Sequence, residues 1–256
     1  MFPYLFHVGD FGVPAYGTML GLGFLAGIAL GHLRGRRDGL PGDWAWDLGI
    51  LAILGGVVGG RLEHVRTLPE VYAGKPWTQV FALRDGGMVF YGGLVGALVL
   101  FWLYGRWRRV SFFALTDIMA PSVAFGHAFG RVGCLGAGCC YGAPTDGWWA
   151  ITFPEGARAP AGVPRIPTQV HEIGFNLALA AFLWVVPRRF LGHRFALLLA
   201  LYGVFRAVNE QFRVDSRGSF AGTALTPGVG TSLVMVAAAV AIWVAQRNVQ
   251  PPERVG

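Results

Sequence analysis

Three arginines lie within apolar segments, where a permanent charge is costly unless it has a partner or a ligand. They are Arg61 in VVGGRLEH, Arg131 in HAFGRVG and Arg206 in LYGVFRAVNEQFR. A guanidinium group can hold two phosphate oxygens at once, so clustered arginines in an apolar setting suit a phospholipid headgroup. The alternative is that each side chain extends its charge to the membrane interface.

The segment around Arg206 carries further polar residues at helical spacing. At about 100° per residue, four polar side chains fall on one face of a helix. They are Tyr202, Arg206, Glu210 and Arg213. Arg206 and Glu210 are spaced to pair with each other, so Arg213 leaves a surplus positive charge on that face. The surplus favours the binding of an anion.

The stretch GRVGCLGAGCCYG, residues 130–142, places Arg131 close to all three cysteines of the chain. Gly130 and Gly133 would let a ligand approach the backbone around Arg131, and a helix is expected to end in this stretch. Glycines on both sides of one arginine therefore predict a binding site at the end of that helix.

The three thiols favour a structural role. In an oxidising outer compartment, Cys134 bridged to Cys139 or Cys140 would pin the loop after Arg131 and leave one thiol unbridged. A zinc site that includes His127 is disfavoured because C-x4-C-C is not a standard ligand spacing. A covalent thiol intermediate is also disfavoured, because a thioether would not release its lipid. We expect no metal and no cofactor.

The composition indicates the kind of protein that positions these residues. The chain of 256 residues is 54% hydrophobic and 14% charged, with a mean hydropathy of +0.50, which is too apolar for an ordinary soluble domain. Its 39 glycines favour close packing between membrane helices. The net charge of +7 comes in short blocks at the ends of apolar segments, which argues against nucleic-acid binding.

Seven apolar segments have the length that a hydrocarbon core demands. They run near residues 14–33, 44–64, 88–105, 111–133, 170–187, 195–213 and 227–246. The sequence therefore predicts an all-α integral membrane protein with about seven transmembrane helices, folded as a single polytopic domain over residues 1–256.

Basic residues mark alternate connections between these segments. They occur at 34–37, 106–109 and 187–194 and in the tail with Arg247 and Arg254. By the positive-inside rule this side is cytoplasmic, which places the N-terminus outside and the C-terminus in the cytoplasm. The external loops would then lie near residues 65–87, 134–169 and 214–226. The first residues lack the positive start of a signal peptide, so we expect the first segment to stay uncleaved.

Several motifs occur together in an order that covers most of the chain. They are Tyr16-Gly17, GGRL (59–62), GGMVFYGGLVG (86–96), GRVGC (130–134) with Gly138 and Gly142, PTQVHE (167–172), and YGVFR with Glu210 and Arg213. In this order the chain resembles the prolipoprotein diacylglyceryl transferase family, whose signature is a Gly-Arg-x-Gly segment that closes the fourth span.

The resemblance implies a transferase of the bacterial inner membrane with its active site toward the external face. It would move the diacylglyceryl group of phosphatidylglycerol to the lipobox cysteine of a preprolipoprotein signal peptide, forming a thioether and releasing glycerol phosphate. Its partners would be that lipid, that peptide and the bilayer. The alternative is a phospholipid-binding or carrier membrane protein derived from the family and without catalysis.

The resemblance also implies roles for individual residues. By matched motif, Arg131 and Arg206 would clamp the phosphate. Tyr91 and His171, which stand where the chain departs from the family, are the other candidate catalytic residues on their own chemistry. Substrate-binding residues would be Tyr16, Arg61, Gly92, Gly93, Gln169, Glu172, Tyr202 and Glu210. Arg61 is expected to act mainly in packing or topology, and Glu210 would equally serve as a counter-ion for its arginine neighbours.

The chain departs from the family pattern at the two familiar histidines. Tyr91 stands in YGGL where the family has HGGL, and Ile166 precedes Pro167 where the family has His-Pro. A phenol is a poor base at neutral pH, and isoleucine cannot act as one. His171, beside Glu172, and His127, one turn before Arg131, are the substitute bases. We favour His171 as the base and Tyr91 as a positioning residue.

Overall fold

The computed structural model describes residues 4–9, 11–41, 43–82, 87–187, 192–214, 220 and 222–247. Seven α-helices dominate these residues. They are α1 (Ala15–Arg37), α2 (Trp44–Thr67), α3 (Phe90–Arg108), α4 (Phe112–Ala137), α5 (Thr168–Val185), α6 (Arg194–Glu210) and α7 (Pro227–Gln246). Each helix coincides with one apolar segment expected from the sequence, with ends that differ by a few residues.

Some of the sequence predictions concern residues outside the described part of the chain. They involve Gly86 of the third motif, part of the external loops 65–87 and 214–226, part of the basic block 187–194, and Arg254 in the tail.

Four helices, α1, α2, α4 and α7, are long and apolar enough to cross a membrane. Large apolar side chains also face outward from the helices. Leu25 on α1, Leu62 on α2 and Val95 on α3 are each 60% exposed. Exposed apolar side chains on several helices are what a lipid environment accepts and water disfavours. The protein is therefore a mostly helical chain built for the bilayer.

Two small β-hairpins depart from the purely helical expectation. Strands β1 (Tyr4–Val8) and β2 (Phe11–Pro14) pair antiparallel before α1. Strands β3 (Ile151–Thr152) and β4 (Pro164–Arg165) pair antiparallel between α4 and α5. The chain also forms short 3-10 turns at Pro69–Val71 and Trp77–Phe81. These elements are too short to leave a period-2 pattern in the sequence.

Glycines set the contact between α2 and α3. A Cβ atom on Gly59 would collide with the carbonyl oxygen of Gly92, and one on Gly93 would lie 2.8 Å from the carbonyl oxygen of Gly56. Only glycine permits backbones to approach this closely. Gly92 and Gly93, expected from the resemblance to bind substrate, thus lie in a helix-packing contact.

A buried ionic cluster joins α1, α5 and α6 at one end of the helices. Arg34 Nε donates to Asp38 Oδ2 at 3.0 Å, and Arg194 Nη2 donates to Asp38 Oδ1 at 3.2 Å. Arg34 Nη2 also donates to the carbonyl oxygen of Val186 at 2.9 Å. The sequence placed Arg34 and Arg194 in the basic connections between apolar segments, whereas both lie within helices and are buried. Asp38 and the carbonyl oxygen of Val186 accept their hydrogen bonds.

Asp117 in α4 stabilises the start of α6 in the same region. Its side chain is fully buried and accepts hydrogen bonds from the backbone nitrogens of Gly192 (2.6 Å), Arg194 (3.1 Å) and Phe195 (2.8 Å). These are the N–H groups that a helix start leaves without intrahelical partners. A carboxylate from another helix therefore caps α6 and fixes its position against α4.

Backbone hydrogen bonds hold the segment between α4 and α5. The backbone nitrogen of Gly142 donates to the carbonyl oxygen of Ile166 at 3.0 Å. The backbone nitrogen of Ala143 donates to the carbonyl oxygen of Phe212 at 2.8 Å. The segment is thus attached to the start of α5 and to the residues after α6. The expected bridge from Cys134 to Cys139 or Cys140 is not present in the structure, in which all three cysteines are free.

Candidate active site

A buried carboxylate, Glu172, lies at the centre of a group of arginines. It is 1% exposed and lies in the second turn of α5. Its Oε2 atom lies 2.6 Å from Nε of Arg131 in α4. Its Oε1 atom lies 3.5 Å from Nη1 of Arg206 in α6 and 3.7 Å from Nη1 of Arg213, just after α6. One carboxylate therefore joins the ends of three helices.

Glu210 supplies a second carboxylate to the same group. Its Oε2 atom lies 2.6 Å from Nη2 of Arg206 and 3.9 Å from Nε of Arg213. With Arg131 and Glu172, these side chains form what we call the arginine cluster. Among the residues that the structure describes here, three guanidinium groups face two carboxylates. Nη1 of Arg206 is buried and donates no hydrogen bond within the described part of the chain.

Tyr202 and His127 lie against the arginine cluster. The hydroxyl of Tyr202 donates to Glu172 Oε2 at 3.3 Å and lies 3.4 Å from Nε2 of His127. Nε of Arg131 donates to the same His127 nitrogen at 3.1 Å. The polar residues predicted to share one face of α6 do lie close together. The residue that contacts Tyr202, Arg206 and Arg213 is Glu172 of α5.

His171 reaches the cluster through Asn209. Nδ2 of Asn209 donates to Glu172 Oε1 and to the carbonyl oxygen of Thr168, both at 3.3 Å. The Asn209 oxygen is thus the acceptor for His171 Nδ1, which lies 3.4 Å away. In the neutral ring the proton then sits on Nδ1, and Nε2 carries the lone pair. Asn209 was missed from the sequence; its position three residues after Arg206 is the signal that could have indicated it.

The first turn of α5 holds the cysteine segment. Nε2 of Gln169 donates to the carbonyl oxygen of Cys139 at 2.7 Å, and Oγ1 of Thr168 donates to that of Cys140 at 2.6 Å. Gln169 is 1% exposed, and its Oε1 atom makes no hydrogen bond in the residues that the structure covers. Gln169 therefore supports the loop and also presents a buried acceptor.

Tyr91, at the start of α3, contacts the start of α7. Its hydroxyl lies 2.6 Å from Oγ1 of Thr231. Thr231 already donates its own proton to the carbonyl oxygen of Pro227 at 2.6 Å, so Tyr91 is the donor. Three residues earlier, a Cβ atom on Gly228 would collide with the carboxylate of Glu210. The first turn of α7 thus lies between Tyr91 and the arginine cluster.

Two further residues expected at the site have mainly packing contacts. Tyr16 in α1 packs across Gly133 of α4, where an added Cβ would lie 3.0 Å from the Tyr16 Cα. The guanidinium of Arg61 donates to the carbonyl oxygens of Val80 at 2.6 Å and Gly87 at 3.0 Å. It holds the segment after α2, as the expected packing role requires.

The three thiols lie beside Arg131. The sulfur atoms of Cys134, Cys139 and Cys140 are all within 4.8 Å of one another, and Nη1 of Arg131 lies 4.0 Å from the Cys134 sulfur. Hydrogen bonds from the other two thiols lower the pKa of the Cys140 thiol, and the nearby positive charge of Arg213 lowers it further. Of the two thiols after α4, Cys140 therefore carries negative charge more readily than Cys139, whose pKa is raised.

An apolar cleft of about 310 Å³ lies between α1, α4 and α5. Its lining comes from α1, α4 and α5 and includes Met19, Phe129, Val132, Ile173 and Leu177. Val132 directly follows Arg131, and Ile173 directly follows Glu172. The arginine cluster and the apolar cleft thus share the same turns of α4 and α5, on faces of each helix about 100° apart.

Comparison with known proteins shows the family of the chain. Residues 3–245 match the family model described as prolipoprotein diacylglyceryl transferase. Three similar proteins are all named phosphatidylglycerol--prolipoprotein diacylglyceryl transferase. The protein of Clostridium tetani is 33% identical, and the match covers 86% of this chain and 88% of that protein. The protein of Bordetella parapertussis is 34% identical, with 98% of this chain and 97% of that protein covered. The protein of Aromatoleum aromaticum is 36% identical, with 94% of this chain and 92% of that protein covered. The chain therefore belongs to the family of prolipoprotein diacylglyceryl transferases.

Proposed function

We propose that the chain transfers the diacylglyceryl group of phosphatidylglycerol to the lipobox cysteine of a preprolipoprotein signal peptide. The observation that carries this proposal is the buried arginine cluster, in which Glu172 orients Arg131 and Arg206, together with an apolar cleft on the same turns of α4 and α5. A phospholipid has one anionic phosphate and long apolar chains, so it complements both features. The names of the relatives specify the same lipid and the same class of protein acceptor.

In the proposed complex Arg131 and Arg206 hold the lipid phosphate. Both guanidinium groups are anchored on Glu172, so their geometry is set before the lipid arrives. Nη1 of Arg206 retains donor capacity in a site from which water is largely excluded. The fork of a guanidinium can bind two phosphate oxygens, which an ammonium group cannot do with the same geometry.

The reaction is a displacement at the glyceryl carbon that bears the phosphate. The sulfur of the peptide cysteine forms a bond to that carbon while the carbon–oxygen bond to phosphate breaks, and its electron pair leaves with the phosphate oxygen. Glycerol phosphate is released and a thioether remains on the peptide. Arg131 and Arg206 stabilise the charge that develops on the departing phosphate, which is the usual role of fixed donors in such a site.

The attacking thiol must lose its proton, and we assign this proton to Nε2 of His171. Asn209 holds the other ring nitrogen and so orients the imidazole. His127 is less suited, because its Nε2 already accepts a hydrogen bond from Arg131 and would have to give it up. Tyr91 is assigned a positioning role at the junction of α3 and α7.

The orientation in the membrane follows from the basic connections, and we infer an N-terminus outside, a cytoplasmic C-terminus and an active site near the external face of the bacterial inner membrane. A reporter fused after Gly256 should be cytoplasmic, and one inserted near Gly156 should be external. The reverse result would place the arginine cluster at the wrong leaflet.

The assay that tests the function uses purified protein, phosphatidylglycerol vesicles and a peptide with a lipobox cysteine. We expect the peptide to gain the mass of one diacylglyceryl group, with one glycerol phosphate released for each modified thiol. A peptide in which serine replaces that cysteine is the control and should stay unmodified. If phosphatidylglycerol binds but no thioether forms, the lipid-binding alternative replaces the transferase.

A further inference from the structure

All three cysteines of the chain lie in one place. Cys134 is in the last turn of α4, and Cys139 and Cys140 follow that helix. Their sulfur atoms lie within 4.8 Å of one another. Cys134 is buried, and the other two are half-buried. The group is therefore packed on one side and accessible on the other.

The backbone is folded in a way that brings these side chains together. Gly138 ends α4 in the left-handed conformation, with φ of +66°, and the nitrogen of Cys139 donates to the carbonyl oxygen of Cys134 at 3.1 Å. This is the Schellman pattern, which returns the chain over the last helical turn. Cys140 is also left-handed, with φ of +65°. A cysteine rarely adopts that conformation unless the surrounding structure imposes it.

The distances fit metal coordination by sulfur. A zinc ion binds thiolates at about 2.3 Å, so three sulfur atoms around it are separated by about 3.8 Å. Side-chain rotation alone can bring sulfur atoms together from 4.8 Å or less. The spacing C-x4-C-C is not a standard spacing of zinc ligands along a sequence. The turn at Gly138 nevertheless folds the chain back, so that Cys139 and Cys140 lie close to Cys134.

The charges nearby also fit. Three thiolates around a divalent ion carry a net charge of −1, and Nη1 of Arg131 lies 4.0 Å from the Cys134 sulfur. Arg213 and Arg131 both act on Cys140 electrostatically. Arg131 and Arg213 therefore supply positive charge beside the complex. The thiol protons displaced by the ion would be released to solvent.

We propose that Cys134, Cys139 and Cys140 form a binding site for one thiophilic d10 metal ion, with Zn²⁺ as the physiological example and Cd²⁺ as a probe. The three thiolates leave a fourth coordination position for water or another ligand. The carbonyl oxygens of Cys139 and Cys140 are held by Gln169 and Thr168, so a bound ion stabilises the segment against the start of α5. This site is independent of the transferase assignment.

A cadmium titration tests the site directly. The full-length protein in detergent is reduced with a phosphine, freed of metal and titrated with Cd²⁺ while the ultraviolet thiolate-to-cadmium charge-transfer band is recorded. The expected band saturates at one ion per chain, and Zn²⁺ added afterwards removes it by competition. Because the chain has no other cysteine, any such band reports this group.

The variants Cys134→Ser, Cys139→Ser and Cys140→Ser should each weaken cadmium binding by about 10- to 100-fold or more, as loss of metal-site partners does. The triple serine variant should show no band. Serine is close to cysteine in size, and the thermal unfolding of the triple variant in metal-free buffer shows whether the fold is retained. Wild-type protein blocked with N-ethylmaleimide is a second control that needs no mutation.

Three results would overturn the proposal. They are the absence of a saturable band in the reduced wild type, saturation at half an ion per chain, which indicates an ion shared between two molecules, and a single serine variant that binds Cd²⁺ as tightly as the wild type.

Discussion

Glu172 Oε2 and Arg131 Nε lie 2.6 Å apart and join α5 to α4 through a buried ion pair. The same carboxylate also faces Arg206 and Arg213. Three guanidinium groups are thus oriented by one side chain, and removal of its charge should affect both the fold and the phosphate site.

Glu172→Gln should lower the free energy of unfolding by about 3 kcal/mol, because it leaves buried arginines without their shared counter-ion. Transfer activity should fall by about 100-fold or more, since Arg131 and Arg206 lose their common anchor. Denaturant titration in detergent and initial rates measured on the folded fraction check the two effects. Glu172→Asp, which retains the charge on a shorter side chain, should lose less stability; equal stability of wild type and Glu172→Gln would contradict the central role of the carboxylate.

Asp38→Asn should separate stability from activity. Asp38 is buried between Arg34 and Arg194 near the opposite end of α5 from Glu172. Loss of its charge should cost about 3 kcal/mol of unfolding free energy, whereas the rate per folded molecule should stay within about twofold of wild type. A large loss of that rate would show that the two ends of the protein are coupled.

The helices could be predicted from the sequence because apolar length is a local property. All seven expected segments became helices, and Phe90–Arg108, expected at 88–105, shows how small the differences are. The hairpin of Ile151–Thr152 with Pro164–Arg165 could not be predicted, because two-residue strands leave no pattern. The burial of Arg34 could not be predicted, because the sequence does not show that Asp38 and Arg194, which is distant in the chain, pack against it.

The site was predictable to the extent that its residues share one helix. Tyr202, Arg206 and Glu210 have helical spacing, and the structure brings them to the same cluster. The central role of Glu172 and the contribution of Asn209 depend on how α5 packs against α6, which no spacing within one segment reveals.

Gly59→Ala should destabilise the contact between α2 and α3, because the added Cβ would collide with the carbonyl oxygen of Gly92. Gly56→Ala, one turn earlier on the same helix, is the matched control: an added Cβ there meets nothing within 4 Å. Alanine should even favour the helix at Gly56, by up to about 1 kcal/mol. The unfolding temperature in detergent should therefore be lower for Gly59→Ala than for the wild type, and unchanged or higher for Gly56→Ala. An equal decrease in both variants would exclude close packing as the cause.

A histidine base predicts that the initial rate rises with pH, because only the neutral imidazole can accept the proton of the thiol. In His171→Gln this rising limb should disappear together with most of the rate. Tyr91→Phe should lower the rate without moving the limb, because it removes a positioning hydrogen bond to Thr231. If His171→Gln keeps both the rate and the limb, the base has been assigned wrongly, and His127→Gln is the next variant to measure.

The central claim is that Arg131 and Arg206 bind the lipid phosphate through their guanidinium forks. Its most direct test is the initial rate of transfer from phosphatidylglycerol to a lipobox peptide for Arg131→Lys and Arg206→Lys, with Arg61→Lys as the control because Arg61 binds backbone carbonyls after α2. The first two variants should each lose about 100-fold or more in rate, since lysine retains the charge but not the fork, and Arg61→Lys should lose much less. Near wild-type rates for both Arg131→Lys and Arg206→Lys would contradict the claim.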